Sequence, residues 1–250
     1  MSLLEARDLH LSYAGGVQAL SGVSVAVAQG RKTALLGANG SGKTTLLLCL
    51  AALLVPNRGQ VLLDGEPPGR GREAERRWRS TVGMVFQDPD DQLFAPTVFR
   101  DVSFGPLNLG LTDAAAQART EAALTAMRID EMKARPVHML SHGQKKRAAI
   151  AGALAMEPRI LLLDEPTAGL DHPGTVLLLQ ALDRLAAGGT SIVFATHDSD
   201  LALAWADDVV VLAEGRKLAA TTTPTPQLKP QQLRQLKPQL KHLLPHQQVL

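Results

Sequence analysis

The 250-residue sequence has few of the residues on which several classes of protein depend. Its single cysteine, Cys49, excludes an internal disulfide framework and a zinc site built from several cysteines. Aromatic residues make up only 3% of the chain, which leaves little material for base-stacking surfaces. The longest apolar stretch, residues 46–55, is much shorter than the roughly 20 residues of a bilayer-spanning helix. With 45% hydrophobic and 20% charged residues, the composition is typical of a globular domain.

Acidic residues are missing from the end of the chain. None follows Glu214, whereas six basic residues do, and the preceding part carries 20 basic and 24 acidic residues. An acidic body opposes the binding of polyanions, so we expect no nucleic-acid partner. The first ten residues mix charged and apolar side chains without the apolar core of a signal peptide. We therefore expect an intracellular protein.

Strand-like and helix-like segments alternate along most of the chain. Residues 1–35 alternate in the manner of antiparallel strands, and two short strands are predicted around Asp64 and Gly65. Further buried strands are predicted at 81–87, 160–164, 190–197 and 209–215, and helices at 44–55, 112–135, 141–156, 176–187 and 199–206. This order predicts an α/β fold with a parallel sheet core, an N-terminal antiparallel β subdomain and a helical subdomain inserted at about 88–157.

The composition changes at residue 221, which predicts a main domain over 1–220 and a basic tail over 221–250. The tail contains five prolines and seven glutamines, and Pro238 interrupts leucines that otherwise keep a helical spacing. Two interpretations stay open, a solvated or partly helical tail and a helix that docks on a partner. Metal binding by His242 and His246 is disfavoured because Pro245 stands between them.

Residues 37–44 fit the phosphate-binding pattern G-x4-G-K-[ST] without a mismatch, between a predicted strand and a predicted helix. In such a loop the glycines let backbone N–H groups converge on a phosphate at the positive end of a helix. We expect Lys43 to reach the β- and γ-phosphate oxygens and Thr44 to ligate Mg²⁺. The pattern predicts a P-loop NTPase with a RecA-like core. Its expected nucleotide-binding residues are Gly37, Ala38, Asn39, Gly40, Ser41, Gly42, Lys43, Thr44 and Thr45.

Two carboxylates end the apolar strand at residues 160–164 and supply the second half of the predicted site. At the carboxyl edge of a parallel sheet, both side chains are able to face a bound phosphate. We expect Asp164 to contribute to the Mg²⁺ site and Glu165 to polarise the attacking water.

Residues 140–144, Leu-Ser-His-Gly-Gln, resemble the signature motif Leu-Ser-Gly-Gly-Gln of ATP-binding-cassette (ABC) ATPases. The resemblance covers about residues 3–220, with further family elements in the expected order. It implies that Tyr13 stacks on adenine, that Gln87 in the Q-loop contacts Mg²⁺ and water, and that His197 contacts the γ-phosphate. It also identifies Asp171 as the D-loop aspartate. From the residues alone, Tyr13 also fits an ordinary strand aromatic, Gln87 a merely polar residue and His197 a helix cap.

In this family the signature completes the nucleotide site of the opposite subunit. The resemblance therefore implies a head-to-tail homodimer that binds two ATP molecules, with Ser141, Gly143 and Gln144 acting on the partner's nucleotide. His142 departs from the family glycine, and we expect its imidazole to point away from the nucleotide. A pH-dependent contact with the γ-phosphate is the alternative.

Residues 85–94, Val-Phe-Gln-Asp-Pro-Asp-Asp-Gln-Leu-Phe, resemble the Q-loop and short Q-helix of ATPase subunits of energy-coupling-factor (ECF) importers. Residues 104–111 and 144–156 are similar to the cobalt and nickel branch. The resemblance implies a peripheral ATPase at the cytoplasmic face of the inner membrane. Its implied partners are a transmembrane coupling (T) protein and a substrate-binding membrane (S) protein, and its implied cargo is cobalt for cobalamin synthesis.

Other functions stay open at this point. Nickel and vitamins are alternative cargoes, since an ATPase subunit does not touch the cargo. A soluble ABC ATPase acting on nucleic acid and a small-molecule kinase are alternatives of other classes. A soluble ABC ATPase of that kind usually contains a coiled coil, a zinc insertion or a second cassette, and none of these is recognisable in the sequence. A small-molecule kinase would leave residues 140–144 and Asp171 without a role.

Overall fold

The computed structural model describes residues 2–222, and these residues form two compact units. The central unit comprises residues 69–190, and the terminal unit is formed by the residues that flank it in sequence. Apart from the backbone of residues 221 and 222, the predicted tail lies outside the described residues.

The terminal unit begins with an antiparallel sheet. Strand β1 (Ser2–Ser12) lies between β2 (Gln18–Ala28) and β4 (Arg58–Leu63) and pairs with both in antiparallel register. Along β2 the side chains alternate between buried and more exposed positions, as expected for a sheet with one face on the core. The predicted antiparallel N-terminal strands are therefore confirmed.

A second group of strands in the terminal unit carries the parallel pairing. Strand β3 (Lys32–Leu36) runs parallel to β7 (Ser191–Thr196) on one side and to β8 (Asp208–Ala213) on the other. Strand β9 (Arg216–Thr222) pairs antiparallel with β8. Strand β7 is buried along its whole length, which is typical of a parallel strand covered on both faces.

Helices α1 (Lys43–Leu50) and α7 (Ser199–Trp205) belong to the same unit. Helix α1 is apolar nearly all round and largely buried. Its Cys49 is buried as well, and the loss of solvation raises the pKa of the thiol to about 11.

The central unit contains most of the helices. In chain order it consists of α2 (Arg72–Thr81), β5 (Val82–Val85), α3 (Val98–Asn108), α4 (Asp113–Ala126), α5 (His142–Leu154), β6 (Ile160–Asp164) and α6 (His172–Ala187). Strands β5 and β6 pair in parallel. Helices α3 to α6 each begin at a side chain that accepts a hydrogen bond from the first turn, and these caps are Thr97, Thr112, Ser141 and Asp171.

Two predictions about individual elements were wrong, and one strand was not predicted. After β4 the chain forms only an isolated bridge between Leu63 and Glu66, because Pro67 and Pro68 have no N–H to donate to a second strand. The helix predicted over 112–135 ends at Ala126, and Arg128 then adopts a left-handed φ of 53°. Strand β9 was not predicted as a strand.

Candidate functional site

The loop at residues 37–42 joins β3 to α1 in the terminal unit, as the sequence predicts. Its beginning is held by the neighbouring parallel strand, since the Gly37 N–H donates to the main-chain oxygen of Thr196 at 3.2 Å. The carboxyl ends of β3 and β7 therefore meet at one edge, and His197 follows directly after β7 at that edge as an exposed residue.

Two glycines of the loop lie too close to their neighbours to carry a side chain. A Cβ at Gly37 would lie 2.4 Å from the main-chain oxygen of Leu212, and one at Gly42 would lie 2.6 Å from that of Ala19. Gly42 also has a φ of 99°, which L-residues rarely adopt. Both positions therefore require glycine for the loop to keep this path.

The N-terminus of α1 is open to an anion. Its N-cap is Gly42, so no side chain caps the helix, and its first turn contains no acidic residue. The first N–H groups of a helix have no partner within the helix, and the helix dipole favours negative charge there. Lys43 is buried at this end, and its Nζ donates to the main-chain oxygens of Gly37 at 2.8 Å and Ala38 at 3.1 Å.

Tyr13 lies beside this helix end. It stands in the turn between β1 and β2, and its Oη lies 3.1 Å from Thr45 Oγ1. The tyrosine is 43% exposed, so part of its ring is open to solvent, and Thr44 in the first turn of α1 is exposed as well. The structure thus brings together Tyr13, Thr45 and the loop at 37–44 within the terminal unit.

The other predicted site residues belong to the central unit. Gln87 follows β5 and is exposed, whereas Asp164 at the end of β6 and the next residue, Glu165, are buried. Because β5 and β6 are parallel, all three residues lie at the carboxyl edge of the strand pair. Glu165 has a φ of 43°, a left-handed conformation that costs a non-glycine residue about 1–2 kcal/mol.

The signature residues form the N-terminus of α5. Ser141 Oγ accepts from the Gln144 N–H at 3.3 Å, and Gln144 Oε1 accepts from the Ser141 N–H at 2.9 Å, which is a complete capping box. His142 Nε2 would lie 2.9 Å from a Cβ at Gly169, so the imidazole packs against the backbone of the D-loop in its own chain. Its orientation relative to a bound nucleotide stays a prediction.

The D-loop leads directly into α6. Asp171 is the N-cap of that helix, and its Oδ1 accepts from the Gly174 N–H at 2.8 Å. The backbone before it forms two successive turns, with hydrogen bonds from Ala168 N to Glu165 O and from Leu170 N to Thr167 O. A short ordered path therefore joins Glu165 to Asp171.

Sequence reasoning did not single out Lys146. Its side chain is 1% exposed, and Nζ donates to the main-chain oxygens of Glu165 at 2.8 Å and Ala168 at 3.4 Å. Burial lowers the pKa of Lys146, against the opposing effect of nearby Glu165 and Asp164. The helical spacing of Lys146 with buried Ile150 and Ala153 is the signal that could have placed it on the inner face of α5.

The segment after Gln87 is attached to α5 by two polar contacts. Asp90, in a short 3₁₀ turn, accepts from Lys145 Nζ at 2.6 Å, and Gln92 Nε2 donates to the main-chain oxygen of Ala149 at 3.3 Å. The Gln92 side chain also accepts from the Phe86 N–H at 3.2 Å. The path from β5 to residue 92 is thus held against the helix that carries the signature.

An aromatic pair lies next to this segment. Phe94 and Phe104 pack edge to face with ring centroids 4.7 Å apart, and both remain largely exposed, as does Leu107. Buried Asp101 accepts from the N–H groups of Phe94 and Ala95 at 2.9 and 2.7 Å, which holds Phe94 in place. The result is an ordered apolar patch on the surface of the central unit.

Among residues 2–222, no helix has the length and apolar character needed to cross a membrane. In the same part of the chain, no group of three or more His, Cys, Asp or Glu side chains lies in an arrangement that could hold a metal ion.

Comparison with known proteins identifies the family. The family model for the ABC transporter family matches residues 20–168. The cobalt import ATP-binding protein CbiO of Rhodobacter capsulatus is 56% identical over 217 residues, covering 87% of this chain and 78% of its own. The energy-coupling factor transporter ATP-binding protein EcfA of Methanocaldococcus jannaschii is 45% identical over 222 residues, covering 89% and 80%.

Solved structures share the fold. The cbiO1 protein of Clostridium perfringens, part of the ABC transporter complex cbiONQ, superposes with a TM-score of 0.82 at 39% identity, covering 97% of this chain and 98% of its own. A dimeric ATP-binding cassette in a post-hydrolysis state with ADP and Pi has a TM-score of 0.80 at 25% identity, covering 89% and 99%. The predicted α/β fold with its antiparallel N-terminal sheet and helical insertion is therefore confirmed, and the chain belongs to the ABC transporter family as one of its ATPases.

Proposed function

We propose that this chain is the ATP-hydrolysing subunit of an ECF-type importer for a transition-metal ion, and that the ion is cobalt. The proposed ATPase activity is supported by the N-terminus of α1, which follows a glycine loop, has no side-chain cap and lies beside the Lys43 ammonium group. The cargo rests on the similarity to the R. capsulatus cobalt import protein and on the resemblance of residues 85–94 to ECF subunits.

The nucleotide would be held mainly by the terminal unit. The N–H groups at the start of α1 would donate to phosphate oxygens, and Lys43 would exchange its hydrogen bonds to loop carbonyls for bonds to the β- and γ-phosphates. The exposed ring of Tyr13, positioned through Thr45, would stack on adenine. Residues 37–45 form the phosphate side of the site.

Hydrolysis would depend on residues at the ends of three strands. Glu165 would accept a hydrogen bond from the attacking water and polarise it, and His197 would donate to the γ-phosphate. Thr44, Gln87 and Asp164 offer hydroxyl, amide and carboxylate oxygens, a donor set that fits Mg²⁺. When bound, Mg²⁺ supplies positive charge to the β- and γ-phosphate oxygens.

A second copy of the chain would complete each site. The N-terminus of α5, with Ser141, Gly143 and Gln144, offers a second helix end to the partner's γ-phosphate. The dimeric cassette that shares this fold supports such an arrangement. Loss of the γ-phosphate on hydrolysis would remove these contacts and open the dimer.

The membrane partner would dock on the central unit. The apolar patch at Phe94 and Phe104 adjoins the Q-loop segment, whose Asp90 and Gln92 contact the signature helix α5. An apolar surface with charged neighbours fits a docking helix of a transmembrane coupling protein. In this arrangement the chain is peripheral to the inner membrane on its cytoplasmic face.

The shared site is tested with the variant Glu165→Gln, which removes the polarising carboxylate but keeps its size. We expect it to bind ATP and to accumulate as a dimer, measured by size-exclusion chromatography with light scattering. Lys43→Ala is the matched negative control, because it removes the phosphate contact instead. A Glu165→Gln protein that stays monomeric with saturating ATP would contradict the shared site.

The cargo is tested in the native membrane. The chain is purified with its membrane partners, which are identified, and the complex is reconstituted for uptake of radioactive cobalt and nickel. ATP-dependent uptake of cobalt in preference to nickel supports the proposal. Uptake of nickel alone, or of a vitamin carried by an identified partner, assigns another cargo.

A further inference from the structure

Lys146 is a lysine that the central unit buries almost completely. Burying an ammonium group costs free energy unless it is well hydrogen-bonded, and cores more often use an apolar residue. The two hydrogen bonds of Lys146 go to main-chain oxygens of the loop that follows β6, at residues 165 and 168. The contact therefore joins the signature helix α5 to the loop that begins with Glu165.

The oxygen that Lys146 contacts belongs to a residue in an uncommon backbone conformation. Glu165 has a left-handed φ, and such a conformation persists only where the surroundings enforce it. The same oxygen also accepts from the Ala168 N–H at 3.1 Å, so two donors converge on it. Together they hold the peptide plane after Glu165 and thereby restrain the backbone from which its side chain projects.

Two further contacts join α5 to this loop. The His142 imidazole packs against Gly169, and Leu170 Cδ2 would lie 3.2 Å from a Cβ at Gly143. The first turns of α5 and residues 165–170 thus contact each other at three places. A displacement of the signature is therefore expected to displace Glu165 in the same chain.

We propose that Lys146 is a positioning residue for ATP hydrolysis, which holds the Glu165 backbone against the signature helix so that the carboxylate faces the attacking water. The proposal rests on the proposed role of Glu165 in polarising that water. Lys146 itself contacts no substrate and transfers no proton. Its effect is confined to the geometry of the loop at residues 165–168.

The variant Lys146→Met tests this, because methionine keeps the length of the lysine stem and fits an apolar site. If Lys146 only stabilises the fold, Lys146→Met is expected to melt at a lower temperature, because two main-chain oxygens lose a donor, while the folded variant keeps the wild-type kcat. We expect kcat to fall by about tenfold or more, with the Kd for ATP unchanged, since misplacing a catalytic group slows the chemical step. Wild-type kcat in the folded variant would overturn the proposal.

Amide hydrogen exchange gives a readout that needs no nucleotide. We expect the Ala168 amide to exchange faster in Lys146→Met than in the wild type, because the loop loses a donor. The matched control is Lys133→Met, at an exposed lysine that pairs with Glu121 in the same unit. It is expected to change neither the exchange nor kcat, and unchanged exchange in Lys146→Met would count against the proposal.

A second variant, Lys146→Gln, keeps a donor on a side chain one bond shorter. We expect its kcat to lie between those of Lys146→Met and the wild type. If Lys146→Met does not fold, Lys146→Gln tests the proposal in its place. A lowered kcat with unchanged affinity for ATP then supports the positioning role of Lys146, and a wild-type kcat contradicts it.

Glu165→Gln, measured in parallel, separates the two possible failures. If Glu165→Gln still hydrolyses ATP, the proposed role of Glu165 is wrong. If Glu165→Gln is inactive while Lys146→Met hydrolyses ATP as the wild type does, only the positioning proposal is wrong.

Discussion

Lys43 has its ammonium group beside the open end of α1, where its hydrogen bonds go to two loop carbonyls. A charge-assisted hydrogen bond contributes about 1.5–3 kcal/mol, which corresponds to roughly a ten- to hundredfold change in affinity. We expect Lys43→Ala to weaken ATP binding by that factor, measured by isothermal titration calorimetry. Exposed Lys133→Ala is the control, and unchanged affinity in Lys43→Ala would refute the phosphate contact.

His142 tests the departure from the family signature. Because its imidazole packs against Gly169 of its own chain, we expect His142→Gly to leave the pH profile of ATPase activity unchanged. The measurement is the ATPase rate between about pH 5.5 and 8.5, the range in which histidine titrates. If the ATPase rate of the wild type depends on pH in this range and that dependence is lost in His142→Gly, His142 contacts the nucleotide.

At the scale of single residues, the sequence was informative where chemistry requires a fixed spacing. The glycines, Lys43 and Thr44 were predictable because a phosphate loop needs them in one order. Lys146 was not, because its partners are main-chain oxygens about twenty residues away, and such contacts leave no motif. The left-handed backbone of Glu165 was equally invisible, since glutamate has no preference for it.

Among the elements, the 3₁₀ turn at residues 89–91 offers a sharp test of coupling. Asp90 pairs with Lys145 at the start of α5, so this turn is attached to the signature helix. We expect Asp90→Asn to lower ATP-driven transport in the reconstituted complex while the isolated chain keeps its ATPase activity. Exposed Glu131→Gln is the control, and equal losses of transport and ATPase would show that the turn serves the fold instead.

Element type was more predictable than element ends. Buried parallel strands such as β6 and β7 were recognisable from continuous apolar runs. The end of α4 was not, because Arg128 ends the helix in a left-handed conformation without a glycine or proline signal. Strand β9 was missed because its residues do not show the alternation of a typical strand. It is a strand because it pairs with β8.

For the whole molecule, the end of β9 provides a natural place to shorten the chain. A protein that ends at Thr222 keeps every strand pairing seen among residues 2–222. If residues 223–250 are a solvated appendage, the shortened chain is expected to melt at the wild-type temperature and to form the proposed ATP-dependent dimer. Loss of the dimer in light scattering, with an unchanged melting temperature, would instead assign those residues to the subunit contact.

The buried thiol of Cys49 is the sole one in the sequence, and its pKa is raised to about 11. We expect Ellman's reagent at neutral pH to react slowly with the native protein, since the thiolate is the reactive form. In guanidinium chloride, which unfolds the protein, we expect it to detect one equivalent of thiol. Rapid reaction of the native protein would contradict that burial.

A chain with one unreactive thiol needs no cysteine removed before a fluorophore is attached. Val55, in the loop after α1, is 86% exposed, so Val55→Cys would create a single labelling point. If the proposed dimer of two identical copies forms, energy transfer between fluorophores attached at this residue would report the distance between its subunits during nucleotide turnover.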